Sequence, residues 1–478
     1  MHPDSPQAPR VAIIGAGPAG LAAAYTLSKA GAQVTVLEAD ARYVGGLART
    51  VEHNGFRFDV GGHRFFSKSQ EIEDLWTELL PHDMLERQRE SRILYRGQFY
   101  SYPLKPAEAL WKLGLVEAFL CALSYLGARI SPVANPKSLE DWVTNEFGGR
   151  LFRIFFKTYT EKVWGVSCRE ISADWSAQRI KGLSLTSIIR SALLPRRRAV
   201  DRSRQIKTLL KSFRYPRLGP GMMWQAAASR VRDLGGEVCM GQRVASCNWD
   251  KDARRWTLLC EPGSRTVAAE HVISSAPLAE LVRSITPLLS PESRSAAGLL
   301  RYRDFLTVAL MVKGRSPITD NWIYIHDAGI RAGRVQNYRS WSPDLLPNEE
   351  CSCYGLEYFC FEKDEIWNWS DDRLVELARG ELAQIGLARP EDAMDACVVR
   401  QPKAYPFYDH DYARNVATIR AEMERECPQL HPVGRNGMHR YDNQDGAMMS
   451  GILAARNILA GRRVWDPWLV NQDAEYRG

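Results

Sequence analysis

RVAIIGAGPAGLAAAYTLSKAGAQVTVLEAD, residues 10–40, carries the pattern on which the rest of the chain is organised. RVAII at 10–14 is a short apolar strand, and Gly15, Gly17 and Gly20 then spell GxGxxG before the helical run LAAAYTLSKAG. In such a turn Gly15 permits the tight bend, Gly17 lets a pyrophosphate approach the backbone, and Gly20 lets the helix sit against the sheet. Amides left open at the helix start can receive phosphates. VTVLEAD adds a second β-branched strand ending at Glu38, positioned to hydrogen-bond an adenosine ribose. Strand, glycine turn, small-residue helix, Gly31, strand and acid occur in the order of a dinucleotide-binding βαβ unit.

The next stretch, GGLARTVEHNGFRFDVGGHRFFS at 45–67, extends that reading. Gly45 and Gly46 follow Glu38 after a short loop, and Gly61 and Gly62 recur after the alternating run GFRFDV. A compact nicotinamide-only domain would proceed into its next helix. Two glycine pairs instead suggest backbone passing close to a second part of a long cofactor, with Arg49 placed to neutralise phosphate or negative charge on a reduced flavin. On these residues the chain resembles the flavoprotein group that includes the amine oxidases, phytoene desaturases and UDP-galactopyranose mutases. The resemblance implies FAD, with Gly45 and Gly46 touching the cofactor and the loop at 61–65 near the isoalloxazine. Gly62 before His63 permits close approach, and the imidazole is a candidate flavin or substrate contact.

The whole chain sets bounds on this. Its 478 residues exceed the usual single core, while 45% apolar and 25% charged residues describe an ordinary globular protein. Ten cysteines lack any CxxC spacing, so neither a disulfide framework nor a metal site is expected. The opening MHPDSPQAPR lacks the basic region and apolar core of an export signal, and a cytoplasmic setting is the expectation. The apolar stretch 109–129 is interrupted by Lys112, Gly114, Glu117 and Gly127, which favours a buried helix over an integral membrane span. The net charge of +7 is modest, and the basic run at 196–214 has no nucleic-acid motif beside it; a solvated connection or an anion-attracting rim are its two readings.

The expected fold class is α/β: an FAD-binding Rossmann-like domain with an inserted helical region and an antiparallel-sheet substrate domain. The cofactor domain is expected in three parts, 1–90, 215–290 and 426–478. Between them lie a hairpin and mainly helical cap at 91–214, whose helices offer a surface for a homo-oligomer, and a sheet at 291–425. The hairpin is read from ILYRGQFYSYPL around Arg96-Gly97, and the sheet from the alternation in FLTVALMV, NWIYIHD and SCYGLEYFC. A last helix at about 444–460 places Asp445 and Gly446 where free amides meet a cofactor phosphate or flavin carbonyl.

Three stretches narrow the resemblance toward the UDP-galactopyranose mutases: SRILYRGQFYSYPL at 91–104, YTEKVWG at 159–165 and GRNGMHRYDNQD at 434–445. They imply that Trp164 lies at a nucleotide-sugar site, that Arg435 approaches flavin and substrate, that Tyr441 meets a sugar diphosphate and that Asp445 opens the last helix. KAYPFYD places Tyr405 at another tyrosine position of that family, and LRYRDF resembles an arginine-bearing stretch through Arg303. Arginine offers a planar fork for paired oxygens, and tyrosines bind diphosphate without adding charge. Two departures stand out. Asn443 replaces an acid, and IKGLSLTS stands where the mutases carry a diphosphate arginine, leaving Lys181 or the arginines at 196–204 as substitutes.

The mutase resemblance implies a small-molecule nucleoside-diphosphate sugar isomerised on reduced FAD through a flavin N5–sugar adduct, with Arg435 and Tyr441 at the reacting groups; His63, read from its place after Gly62, is a catalytic candidate beside them. The alternative on the same scaffold is an oxidase, dehydrogenase or desaturase passing hydride from a small or lipidic substrate to flavin. No second GxGxxG marks a resident nicotinamide, so NADH or NADPH enters only as a transient reductant.

Overall fold

The computed structural model describes residues 8–173, 211–261, 263 and 265–470. Strand β1 (Arg10–Ile14) pairs in parallel with β2 (Gln33–Leu37) on one side and with His271–Ser274 on the other. Leu430–Pro432 and Glu237–Cys239 complete a five-stranded, all-parallel sheet. Its strands are apolar runs because both faces are covered, as parallel sheets require. Helix α1 (Pro18–Lys29) lies on one face, joined there by the helices Pro220–Asp233 and Gln444–Leu459 in a single apolar core.

A seven-stranded sheet forms the second unit, in the order Ala393–Pro406, Tyr302–Lys313, Cys351–Cys360, Arg334–Asn337, Trp322–Ile325, Ser91–Tyr95, Gln98–Ser101. Arg96 and Gly97 turn the hairpin with φ of 51° and 70°, the double left-handed geometry that matches strand twist. The hairpin does not stay with the helical region that follows it in sequence. Its first strand pairs in parallel with Trp322–Ile325, so an otherwise antiparallel sheet is mixed, and one wall is built from two distant segments. Tyr302–Lys313 is buried along both faces up to its last residue, so the alternation in its sequence marks a strand with two packed sides.

The stretch expected as a buried helix is two helices, Pro106–Leu113 and Leu115–Ile130, divided at Gly114 (φ 84°). The longer one buries only Cys121, and Leu115, Val116, Phe119, Leu123, Leu126 and Ile130 face outward. This corrects the expectation: the inner side of the pair meets Ile154 and Phe155, and no layer of the described chain covers the outer side. Among the described residues no helix is long and apolar enough to cross a membrane. All ten cysteines are free, and no described group of His, Cys, Asp and Glu could hold a metal ion. Lys181 and residues 196–210 fall outside the described residues.

Candidate functional site

The carboxyl ends of the parallel strands converge on one edge, where ligands bind in open α/β sheets. After β1 comes Gly15 with φ 95°, its amide bonded to the Leu37 carbonyl at 2.8 Å. A Cβ on Gly20 would lie 2.0 Å from the Gly15 carbonyl oxygen, whereas one on Gly17 would meet no atom within 4 Å. Gly20 is therefore required by packing, and Gly17 borders open space at the start of α1. Glu38 ends β2 and is buried, accepting from the amides of Ala16 (2.6 Å) and Asp40 (2.8 Å). Burial pushes its pKa upward, opposed by those amides.

Gly45, left-handed at φ 103°, bonds Ala16 through its amide, and Gly46, left-handed at φ 54°, lies beside Gly17, where a Cβ would make an ordinary contact 3.5 Å from the Gly17 Cα. Arg49 donates to the Gly46 carbonyl at 3.0 Å and to Gln401 at 2.6 Å, and burial lowers its pKa. Gly61 has φ 95°, and the space a Gly62 side chain would need is filled by Gln336 and Trp341. His63 follows. Burial first, then the charges of Arg435 and Arg334, push its pKa down to about 3, so the imidazole is neutral, and its Nδ1 is buried without a partner in the chain.

The far end of the chain meets this edge. Arg435 donates to the carbonyls of Asp442 (2.9 Å) and Ala404 (3.0 Å), which fixes its guanidinium 5.1 Å from the Tyr405 ring centre and 4.9 Å from that of Tyr441. The two tyrosines stack, 5.9 Å apart and 10° from parallel. Desolvation raises the Tyr405 pKa, so its phenol stays protonated. Asp445 and Gly446 lie in the first turn of Gln444–Leu459, and Ser67 donates to the Asp445 carboxylate at 3.4 Å. Both amide atoms of the neighbouring Gln444 are buried without a partner in the chain.

Two residues singled out in the sequence are engaged elsewhere. Trp164 is 2% exposed and packs edge-on against Tyr405 and Phe407. Arg303, also 2% exposed, is held inside the protein rather than on a surface. It donates to the carbonyls of Val163 (2.8 Å) and Phe359 (2.8 Å) and sits 3.5 Å from Asp364. Burial lowers its pKa to about 10. Lys162, from the same YTEKVWG stretch, gathers the carbonyls of Ile325, Asp327, Ile330 and Ala332 with its ammonium. That stretch braces the 325–332 loop from below.

The sequence reading passed over a second cation. Arg64, directly after His63, has a buried Nη1 without a partner and lies 5.3 Å from the Trp322 ring centre. Burial, then the charge of Arg89, lowers its pKa, and the neighbours that oppose this are Tyr324, Tyr102 and Tyr441. No described carboxylate bonds to it. Arg89 approaches the same Trp322 ring at 5.6 Å and the Tyr102 ring at 5.1 Å. Tyr102, Tyr324 and Tyr159 continue the wall, with Tyr324 4.9 Å from Tyr102 and 5.4 Å from Tyr159. Deeper in, Arg334 pairs with the fully buried Glu357. Burial alone would lower the Arg334 pKa, but Glu357 outweighs it and holds the guanidinium charged. Arg64 had a visible signal in its place beside the glycine pair, but nothing local marks Arg89, Arg334 or Tyr324.

The edge thus carries an open glycine turn, a helix N-terminus and buried polar atoms without chain partners: His63 Nδ1, the Gln444 amide, Tyr43 Oη and Trp224 Nε1. These features fit a long dinucleotide held along its whole length. A model of the family described as flavin containing amine oxidoreductase matches residues 18–459. Protoporphyrinogen oxidase 2 of Arabidopsis thaliana is 24% identical over 487 aligned positions, covering 94% of each chain. An L-amino-acid oxidase of Crotalus adamanteus is 38% identical over 117 positions, 21% of this chain and 22% of that protein. Among solved structures, a reduced UDP-galactopyranose mutase superposes with a TM-score of 0.82 at 24% identity, covering 97% of this chain and 99% of the other.

Proposed function

The chain belongs to the flavin containing amine oxidoreductase family, and from that premise we propose that it oxidises a small molecule bearing an anionic group, bound between Arg64 and the Arg435 tyrosine pair. It is a flavin-dependent redox enzyme of this superfamily, for which FAD is the typical cofactor. Bound FAD supplies a ring that accepts a hydride. In this reading Gly15, Gly17, Gly20, Glu38, Gly45, Gly46 and Arg49 hold its dinucleotide part, while Gly61, Gly62, His63, Asp445 and Gly446 border the ring.

The observation that carries the reading is Arg64. A guanidinium taken out of water without a carboxylate beside it is costly, and an anion from the substrate would relieve that cost. The Arg64 Nη1 is buried and unpartnered, and the groups opposing its loss of charge are three phenols. His63 contributes a neutral imidazole that accepts or donates one hydrogen bond without competing for the anion. Arg435, pinned by two carbonyls, contributes positive charge at a fixed place. The phenols of Tyr405 and Tyr441 orient polar atoms of the substrate, and Tyr102, Tyr159, Tyr324 and Trp322 exclude water from its apolar part.

Anaerobic mixing of the FAD-loaded protein with carboxylate- and phosphate-bearing amines, alcohols and cyclic reductants tests this through loss of the oxidised flavin absorption. Arg64→Gln should raise KM by about tenfold to a hundredfold, the value of one charge-assisted contact, with kcat changed far less. Equal bleaching by anionic and uncharged substrates in parent and variant would overturn the anionic assignment. His63 should leave no limb near the ordinary histidine range in the pH profile of kcat, since its pKa lies at about 3.

A second reading, a nucleotide-sugar mutase working on reduced FAD, is favoured by the shared fold and by the Arg435, Tyr405 and Tyr441 cluster. Against it, Trp164 and Arg303 are occupied by packing and by backbone carbonyls. Isomerised sugar from a reduced enzyme, with no net substrate oxidation, would favour the mutase. NADH or NADPH as the reductant belongs to that reading alone.

A further inference from the structure

We propose that the outer face of the helices Pro106–Leu113 and Leu115–Ile130 docks on an anionic lipid bilayer, lying within the headgroup layer without crossing it. Leu115, Phe119, Leu123, Leu126 and Ile130 recur at intervals of three or four residues and so share one stripe, with Val116 beside it and Trp111 on the preceding helix. A helix of a water-soluble domain turns such a stripe inward; here the stripe faces out. Leu115 is 86% exposed, Ile130 83% and Trp111 82%. Exposure this high means that the side chains stand out from the surface, the posture of groups that enter a fluid layer.

Length excludes a span. Sixteen residues at 1.5 Å each reach about 24 Å, short of the roughly 30 Å of a hydrocarbon core. Gly114 breaks continuity with the helix before it. An apolar stripe of this length with polar flanks lies in the interface plane.

Charge selects the lipid. The two acids on these helices are neutralised, Glu108 by Lys112 at 2.6 Å and Glu117 by a two-bond pair with Arg150 at 2.5 and 2.9 Å. Exposed Lys105 and Arg129 stand at the two ends of the face, with no described carboxylate bonded to either. Cations bracketing an apolar stripe complement anionic headgroups. Pairing of this face with a second copy about a two-fold axis would bring cation against cation, which disfavours that occupant.

Flotation of the FAD-loaded full chain with phosphatidylcholine vesicles, with and without phosphatidylglycerol, tests the proposal. The parent should float with the anionic vesicles. The triple variant Leu115→Ser, Phe119→Ser, Ile130→Ser should partition at least about tenfold less on either vesicle, because its lost apolar surface drives insertion. Arg129→Glu should weaken binding on anionic vesicles alone. Because these side chains are exposed, unchanged flavin content and melting temperature separate loss of docking from loss of fold. A parent that stays in solution, or a triple variant that floats equally, overturns the proposal. So does a concentration-dependent dimer that the triple variant abolishes without any flotation. The proposal is independent of the substrate assignment, since flotation needs no turnover.

Discussion

The helices Gln444–Leu459 and Leu115–Ile130 are each sixteen residues long and rich in apolar side chains, yet the first buries thirteen of its residues and the second buries one. Side-chain size separates them. Gly446, Ala447, Ser450, Gly451, Ala454 and Ala455 give the last helix a face so flat that α1 comes into backbone contact; a Cβ on Gly451 would stand 2.1 Å from the Ala19 carbonyl oxygen. Its first turn is thereby held at the edge where Gly17 borders open space. Leu115–Ile130 presents bulky side chains for which the described fold supplies no facing layer. Apolar content therefore states how much surface needs cover, and the match of shapes decides whether the chain itself supplies it.

The contrast is broken most directly at Gly451. Gly451→Val should remove the folded, FAD-loaded protein altogether, a loss of more than about 4 kcal/mol, because neither backbone atom can rotate away. Denaturant unfolding measures it, and a parent-like midpoint would show that the two helices do not touch as described. Met448 comes next. It is fully buried and accepts the Trp76 indole N–H at 3.1 Å, so Met448→Ala should cost about 3 kcal/mol by the same measurement. On the other helix, Leu115→Ser and Phe119→Ser should each change stability by no more than about 0.5 kcal/mol. A cost near that of Met448 would mean that the outer face is covered after all.

The smallest effect is expected at Glu117, whose hydrogen bonds to Arg150 hold its pKa below the ordinary carboxylate value. A depressed carboxylate pKa contributes stability above the unfolded value, and that contribution is lost as pH falls through the folded one. Glu117→Gln should therefore lower the melting temperature slightly at neutral pH and leave the acid end of the profile unchanged. Added salt should shrink the difference, since the pair is only half-buried and partly screened.

Much of the fold was legible because it is written locally. The GxGxxG turn, the acid at Glu38, the Arg96-Gly97 hairpin and the final helix each follow from backbone sterics and periodicity within a few residues. The membership of that hairpin was not legible: its parallel pairing with Trp322–Ile325 joins segments that carry no mark of each other. The site divides the same way. Arg435, Tyr405 and Tyr441 were proposed from the sequence and do lie together. Trp164 and Arg303 were also named from the sequence; Trp164 packs against Tyr405 and Phe407, and Arg303 donates to backbone carbonyls.

What the sequence determined alone is the chemistry of short stretches: which turns can form, where amides open and where a long cofactor can approach the backbone. Only the tertiary structure decided that Arg64 and Arg89 share the ring of Trp322, that Trp164 is enclosed and that the Leu115–Ile130 stripe is left open. Turn geometry acts between neighbours along the chain. Burial and charge pairing depend on which distant segments arrive, and a residue's own flanks carry no record of that.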